Sequence, residues 1–131
     1  MANTITIIGN MTGDPELRYT NTGTPVANFT IACSERVFDR QSNEWKDGQT
    51  VFWRCAIWRE AAEHLAASVK KGARVIAVGR VRQEEWTGED GQKKQGMKIE
   101  VDEIGPSLRF EKAVQGQTGR GLRVVDNSAP F

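Results

Sequence analysis

Apolar side chains recur at every second position through most of this chain and at helical spacing only once. Ile5 and Ile7 alternate with Thr4 and Thr6; Ala27, Phe29, Ile31 and Cys33 alternate with Asn28, Thr30 and Ser34; Thr50 to Trp58 keeps the same period. Such a pattern requires a sheet that buries one face. The exception is Arg59 to Lys71, where Ala62, Leu65, Ala66 and Val69 fall at i, i+3, i+4 and i+7. Gly72 supplies a C-terminal stop, and Lys70 and Lys71 suit the negative end of the helix dipole. The spacing predicts one helix among strands.

Turn residues divide the rest. Asn10 to Pro15 separates the first strand from a short one at Glu16 to Thr20, and Asn21 to Pro25 leads into a long strand from Val26 to Phe38. The polar stretch Asp39 to Gln49, with Asp47-Gly48 inside it, reads as a hairpin loop into Thr50 to Trp58. Beyond the helix, Arg74 to Trp86 and Lys93 to Glu103 form a second long hairpin, with Met97, Ile99 and Val101 on its inward side. After Gly105-Pro106 the periodicity fades. Gln115 to Gly121 reads as flexible linker, with Leu122 to Val125 able to pair as a short extra strand. The predicted class is all-β with one helix: a five-stranded Greek-key barrel, the OB-fold, over residues 1–112, followed by a flexible tail over 113–131.

Parity also sorts the functional candidates. In Thr50 to Trp58, Val51, Trp53, Cys55 and Ile57 take the core side, which leaves Phe52, Arg54 and Trp58 together on the other. Arg80, Arg82 and Trp86 share one side of the next long strand in the same way. Aromatic rings interleaved with guanidinium groups suit single-stranded nucleic acid, because rings stack on bases while the cations neutralise phosphate. Aromatic residues on strands more often serve a core or an interface. It is the exclusion of these rings from the core parity that favours binding.

Composition limits the alternatives. At 131 residues, 38% hydrophobic and 27% charged, the chain is long enough for one domain with its own core. The net charge of +1 argues against a globally basic nucleic-acid binder, so cations must be concentrated on one face. Excluding the end of the chain does not change this, since Arg120 and Arg123 are removed together with Asp126. No apolar run reaches the roughly 18 residues of a spanning helix, and Met1 to Ile5 carries no basic-then-apolar leader, so a cytoplasmic protein without a membrane partner is expected. Cys33 and Cys55 lack CxxC spacing and lie on apolar parity, which predicts buried reduced thiols and leaves an intersubunit bridge open.

Little here points to catalysis. Glu84-Glu85 and Glu89-Asp90 are neighbours whose side chains diverge across a strand, with no nucleophile beside them. His64 has no second ligand candidate nearby, so no metal and no cofactor is expected. The glycines of Gln115 to Gly121 follow no strand and precede no Lys-Ser or Lys-Thr, which excludes a phosphate-binding loop.

Gly9-Asn10, Asp14-Pro15-Glu16-Leu17-Arg18-Tyr19, Val26-Ala27-Asn28-Phe29, Trp58-Arg59, Lys71-Gly72 and Gly79-Arg80 together resemble bacterial single-stranded DNA-binding proteins from about Ile5 to Leu108. Phe38-Asp39-Arg40-Gln41, Glu44 to Gly48 and Val101 to Arg109 resemble the actinobacterial type. The resemblance implies a non-enzymatic OB-fold homotetramer that binds single strands without sequence preference, in the cytoplasm with the nucleoid, during replication, recombination and repair. It carries the stacking positions onto Phe52, Trp58 and Trp86 and basic positions onto Arg54, Lys71 and Arg82. Arg80, Arg36 and Phe38 join them, Phe38 standing beside Val37, where the family has a further aromatic. Glu84 and Glu85 stand where the family has basic residues. The family's acidic tail followed by Pro-Phe docks on replication and repair proteins, which here points to Asp126, Pro130 and Phe131 with a single acidic residue. An OB-fold RNA or translation module and a protein-interaction barrel remain open as other uses of the same residues.

Overall fold

The structure is a computed structural model and describes residues 3–110, 112–115 and 122–125. In chain order the elements are β1 (Thr4–Met11), β2 (Glu16–Tyr19), β3 (Pro25–Asp39), β4 (Glu44–Trp58), α1 (Glu60–Ser68), β5 (Arg74–Thr87), β6 (Lys93–Pro106), β7 (Lys112–Gln115) and β8 (Leu122–Val125). The main sheet runs β1-β5-β6-β4-β3-β2, and Asn10↔Ala32 and Met11↔Ile31 pair β1 back onto β3. That pairing turns five strands into a ring. Its second seam is short: β4 and β6 run parallel and pair only at Cys55↔Ile99 and Ala56↔Glu100.

The inward parity of each strand fills the ring. Ile7, Met11, Ala27, Phe29, Ile31, Cys55, Ile57, Val75, Ala77, Ile99 and Val101 are buried, and Ala62, Leu65 and Val69 of the helical segment close one end. Burial of these side chains is the main driving force for the fold. The helix ends earlier than its apolar period suggests. Ser68 is its last residue, Val69 is extended at φ −121°, and Gly72 follows with φ +88°, where a residue with Cβ is strained. Gly79 has a steric role: a Cβ there would run into the backbone of Glu100 and Val101, at the bulge where β5 bends over β6.

Both long hairpins project beyond the ring as two-stranded arms. This is where the sequence reading and the fold differ. β3 continues to Asp39 and β4 begins at Glu44, so most of the stretch expected as loop is paired strand. Asp47-Gly48 lies within that strand near the irregularity between Ser34 and Arg36. The turn is Arg40 to Asn43 instead, with Asn43 at φ +57° and the Gln41 N–H donating to Asp39 Oδ1 at 2.9 Å. On an arm, inward parity no longer means burial: Met97 is 59% exposed and Val51 is exposed as well, because no second sheet layer reaches them. Leu122–Val125 pairs antiparallel with Lys112–Gln115, the short extra strand that the sequence allowed.

Candidate nucleic-acid interface

The outward positions of β4 are Phe52, Arg54, Ala56 and Trp58, opposite Ala32, Thr30, Asn28 and Val26 of β3. Phe52 is 64% exposed and Trp58 44% exposed, while Trp53, one step away in parity, packs against the core. The two exposed rings are six residue steps apart along the strand, about 20 Å at roughly 3.3 Å per residue. Trp58 is fixed at its base by the entry into α1: Arg59 adopts φ +65°, and its N–H donates to the Pro25 carbonyl at 2.8 Å.

The outward face of the β5–β6 arm continues the surface. Arg80, Arg82, Glu84 and Trp86 lie opposite Glu100, Lys98, Gly96 and Lys94. The Trp86 ring lies over Gly96, where a Cβ would come within 3.1 Å of the indole. The Arg54 guanidinium carbon lies 5.9 Å from the centroid of that ring, which joins the two groups of candidates into one cluster.

Carboxylates stand between the cations. Arg54 Nη1 is 3.0 Å from Glu84 Oε2, Arg80 Nη2 is 3.1 Å from Asp102 Oδ1 and 3.4 Å from Glu100 Oε2, and Arg82 Nε is 3.3 Å from Glu100 Oε2. Lys98 Nζ donates to Asn28 Oδ1 at 3.1 Å and stands 3.9 Å from Glu84 Oε1. The concentration of cations expected on one face is therefore only partial, since four cations share the surface with three carboxylates. Beside them a cleft of about 530 Å³ is lined by Thr12, Asp14, Arg18, Thr30, Arg54 and Lys98. Lys71 is exposed beside this cleft, its N–H donating to Asp14 Oδ1 at 2.8 Å.

Not every sequence candidate joins the cluster. Arg36 lines a different cleft, with Ile8, Asn10, Ser34, Asp47 and Arg74, and its Nε is 3.8 Å from Asp47. Phe38 is on the β3–β4 arm, edge-on to Trp45 with centroids 5.3 Å apart. That contact places Trp45 in a cross-strand aromatic pair near the turn, with 61% of its surface exposed. Asp126, Pro130 and Phe131 lie outside the described residues. Sequence reasoning missed Lys98 and Asn28 as members of the surface. Parity was the available signal, since Lys98 alternates with buried Ile99 and Asn28 with buried Ala27 and Phe29. Both cysteines carry free thiols, and burial pushes the Cys55 thiol up to about 12.

A closed β-ring that presents exposed aromatic rings among guanidinium groups defines a nucleic-acid-binding barrel of the OB type. Comparison with known proteins narrows the class. Residues 2–107 match the model of the single-strand binding protein family. The single-stranded DNA-binding protein of Paenarthrobacter aurescens is 56% identical over 117 residues, covering 89% of this chain and 68% of the relative. That of Mycobacterium bovis is 54% identical over 127 residues, covering 97% and 77%. Among solved structures, a small single-stranded DNA-binding protein from Streptomyces coelicolor superposes with a TM-score of 0.71 at 29% identity, covering 82% of this chain and 95% of that one. A Plasmodium falciparum SSB complex with ssDNA gives 0.71 at 26%, covering 82% and 96%. The chain belongs to the single-strand binding protein family, whose members bind DNA and are not enzymes.

Proposed function

We propose that the outward face of β3, β4, β5 and β6 binds single-stranded DNA without sequence preference. Phe52, Trp58 and Trp86 stack on bases; Arg54, Lys71, Arg80 and Arg82 meet phosphates, with Lys98 beside them, while Arg36 in its separate cleft and Phe38 on the β3–β4 arm add contacts outside this cluster. The observation that carries this reading is the approach of Arg54 to the Trp86 ring, which merges two separate strand motifs into one surface. Stacking contributes about 1–3 kcal/mol per base and tolerates any sequence, because every base has a π-face. Phosphate contacts add a salt-dependent part through counterion release. The protein so described protects strands exposed in replication, recombination and repair.

The assembly and the tail belong to the same reading. Ile8 and Ile76 pair on the outside of β1 and β5 at 46% and 39% exposure, an apolar patch suited to a subunit contact in a homotetramer. Residues 1–112 form the binding domain; 113–131 form a tail whose Asp126, Pro130 and Phe131 contact replication and repair proteins. The setting is the cytoplasm, with the nucleoid. Among the described residues, no helix is long and apolar enough to cross a membrane.

The test is a titration of intrinsic tryptophan fluorescence with polydeoxythymidine at two salt concentrations, followed by competition with RNA of equal length. Quenching that weakens with salt and resists RNA competition is expected. RNA binding as tight as DNA binding would favour an RNA module instead, and absence of strand-induced quenching would favour a protein-interaction barrel.

A further inference from the structure

Glu84 occupies an unusual place on the binding surface. It projects from the outward side of β5 between Arg54 of β4 and Lys98 of β6, and its side chain is only 27% exposed. Its Oε2 is buried without a hydrogen bond, because Arg54 Nη1 approaches to 3.0 Å out of line for one. Its Oε1 has Lys98 no closer than 3.9 Å. A carboxylate in this position is held by charge and poorly satisfied by geometry. Glu85, the next residue, has opposite parity, is exposed, and accepts a hydrogen bond from Gln95 Nε2 at 3.2 Å.

We propose that Glu84 is a built-in competitor of the DNA phosphate, holding Arg54 and Lys98 in the strand-free protein so that a phosphate binds only by displacing it. The proposal rests on the reading of this face as the strand-binding surface. When a phosphate takes Arg54, Glu84 turns to Lys98 or recruits a cation from solution. That uptake offsets the counterion released from the phosphate, so binding is both weaker and less salt-sensitive than four cations would otherwise give. A strand held this way leaves more readily, since the carboxylate is already in place to recapture the arginine.

The experiment measures affinity for a fluorescent oligodeoxythymidine by anisotropy across a salt series, for the full chain and for E84Q, E85Q, R54A and R54A/E84Q. Thermal melting of each variant confirms the fold. E84Q is expected to tighten binding about three- to fivefold at low salt and to steepen the slope of log affinity against log salt by about 0.7, the value for one phosphate. E85Q removes the same unit of charge and should change affinity less than twofold. In the R54A background the E84Q gain should shrink, because the pair no longer exists. Equal gains from E84Q and E85Q would reduce the effect to net charge and overturn the proposal, as would an unchanged E84Q. Failure of the unaltered protein to bind any strand would instead overturn the underlying reading of the face.

Discussion

Replacing Trp58 by Ala removes a ring from the outward side of β4 and leaves the core untouched, because Trp58 is 44% exposed and lies outside the buried cluster. More than half of the residue's surface is already covered by protein, so Trp58 is expected to offer one face to one base. The loss should then fall in the lower part of the stacking range, about 1–2 kcal/mol. That corresponds to a rise in Kd of about 5- to 30-fold. Because no charge is removed, the salt slope should stay unchanged. Trp53→Ala perturbs the other face. Trp53 pairs across from Ile31 and packs against the core while keeping part of its surface in solvent, so the change should cost about 2 kcal/mol rather than the ~3–5 of a fully buried ring. For a domain of this size that lowers Tm by roughly 6–10 °C. Anisotropy of a labelled oligodeoxythymidine reports binding without depending on the tryptophan that is removed, and calorimetry reports Tm. A stable Trp53→Ala that binds poorly, together with an unfolded Trp58→Ala, would show that the two faces have been exchanged and would refute the reasoning.

Four further expectations follow from other parts of the molecule. Gly79→Ala should destabilise by more than about 2 kcal/mol in urea unfolding, because the added Cβ meets the β6 backbone rather than a movable side chain. The Cys55 thiol stays protonated in the fold to about pH 12 but ionises near 9 once exposed, so stability should fall as pH rises across that window. Cys55→Ala should flatten the fall in an alkaline melting series. Ile8→Glu should break the proposed subunit contact, seen as a smaller species in sedimentation at micromolar concentration; an unchanged mass would place that contact elsewhere. Deleting residues 113–131 should alter affinity for single strands less than threefold, and a large loss would move part of the binding surface into the tail.

The ring was legible because its strands keep a period of two through most of their buried stretches, the end of β4 being the exception, where outward Ala56 is buried between Cys55 and Ile57. Ile31, Cys55, Ile57 and Ile99 each fall on the inward side that alternation assigns, and the one helical pattern marks α1, the one helix among the described residues. Legibility fails on the arms. There the Asp47-Gly48 pair mimics a hairpin turn while serving inside a strand, and Met97 keeps inward parity with nothing to pack against. The site was legible one strand at a time: parity places Phe52, Arg54 and Trp58 together, and Arg80, Arg82 and Trp86 together. It does not reveal that Arg54 meets Trp86 or that Glu84 lies between Arg54 and Lys98, since those contacts depend on how β4, β5 and β6 come together around the ring. Arg36 illustrates the converse. Its charge and strand position match the other candidates, yet beyond the irregularity between Ser34 and Arg36 it lines a cleft with Ile8, Asn10 and Arg74 instead.

If bases stack on the outward rings, photo-crosslinking should capture them there. An oligodeoxythymidine with iodouracil at successive positions, irradiated in complex with the full chain and digested for mass spectrometry, reports which side chains lie flat against a base. Crosslinks are expected at Phe52, Trp58 and Trp86 and none at Trp53, which shares the β4 strand but faces the core. Crosslinks concentrated at Trp53, or at the Ile8 and Ile76 side of the barrel with the three rings unlabelled, would contradict it.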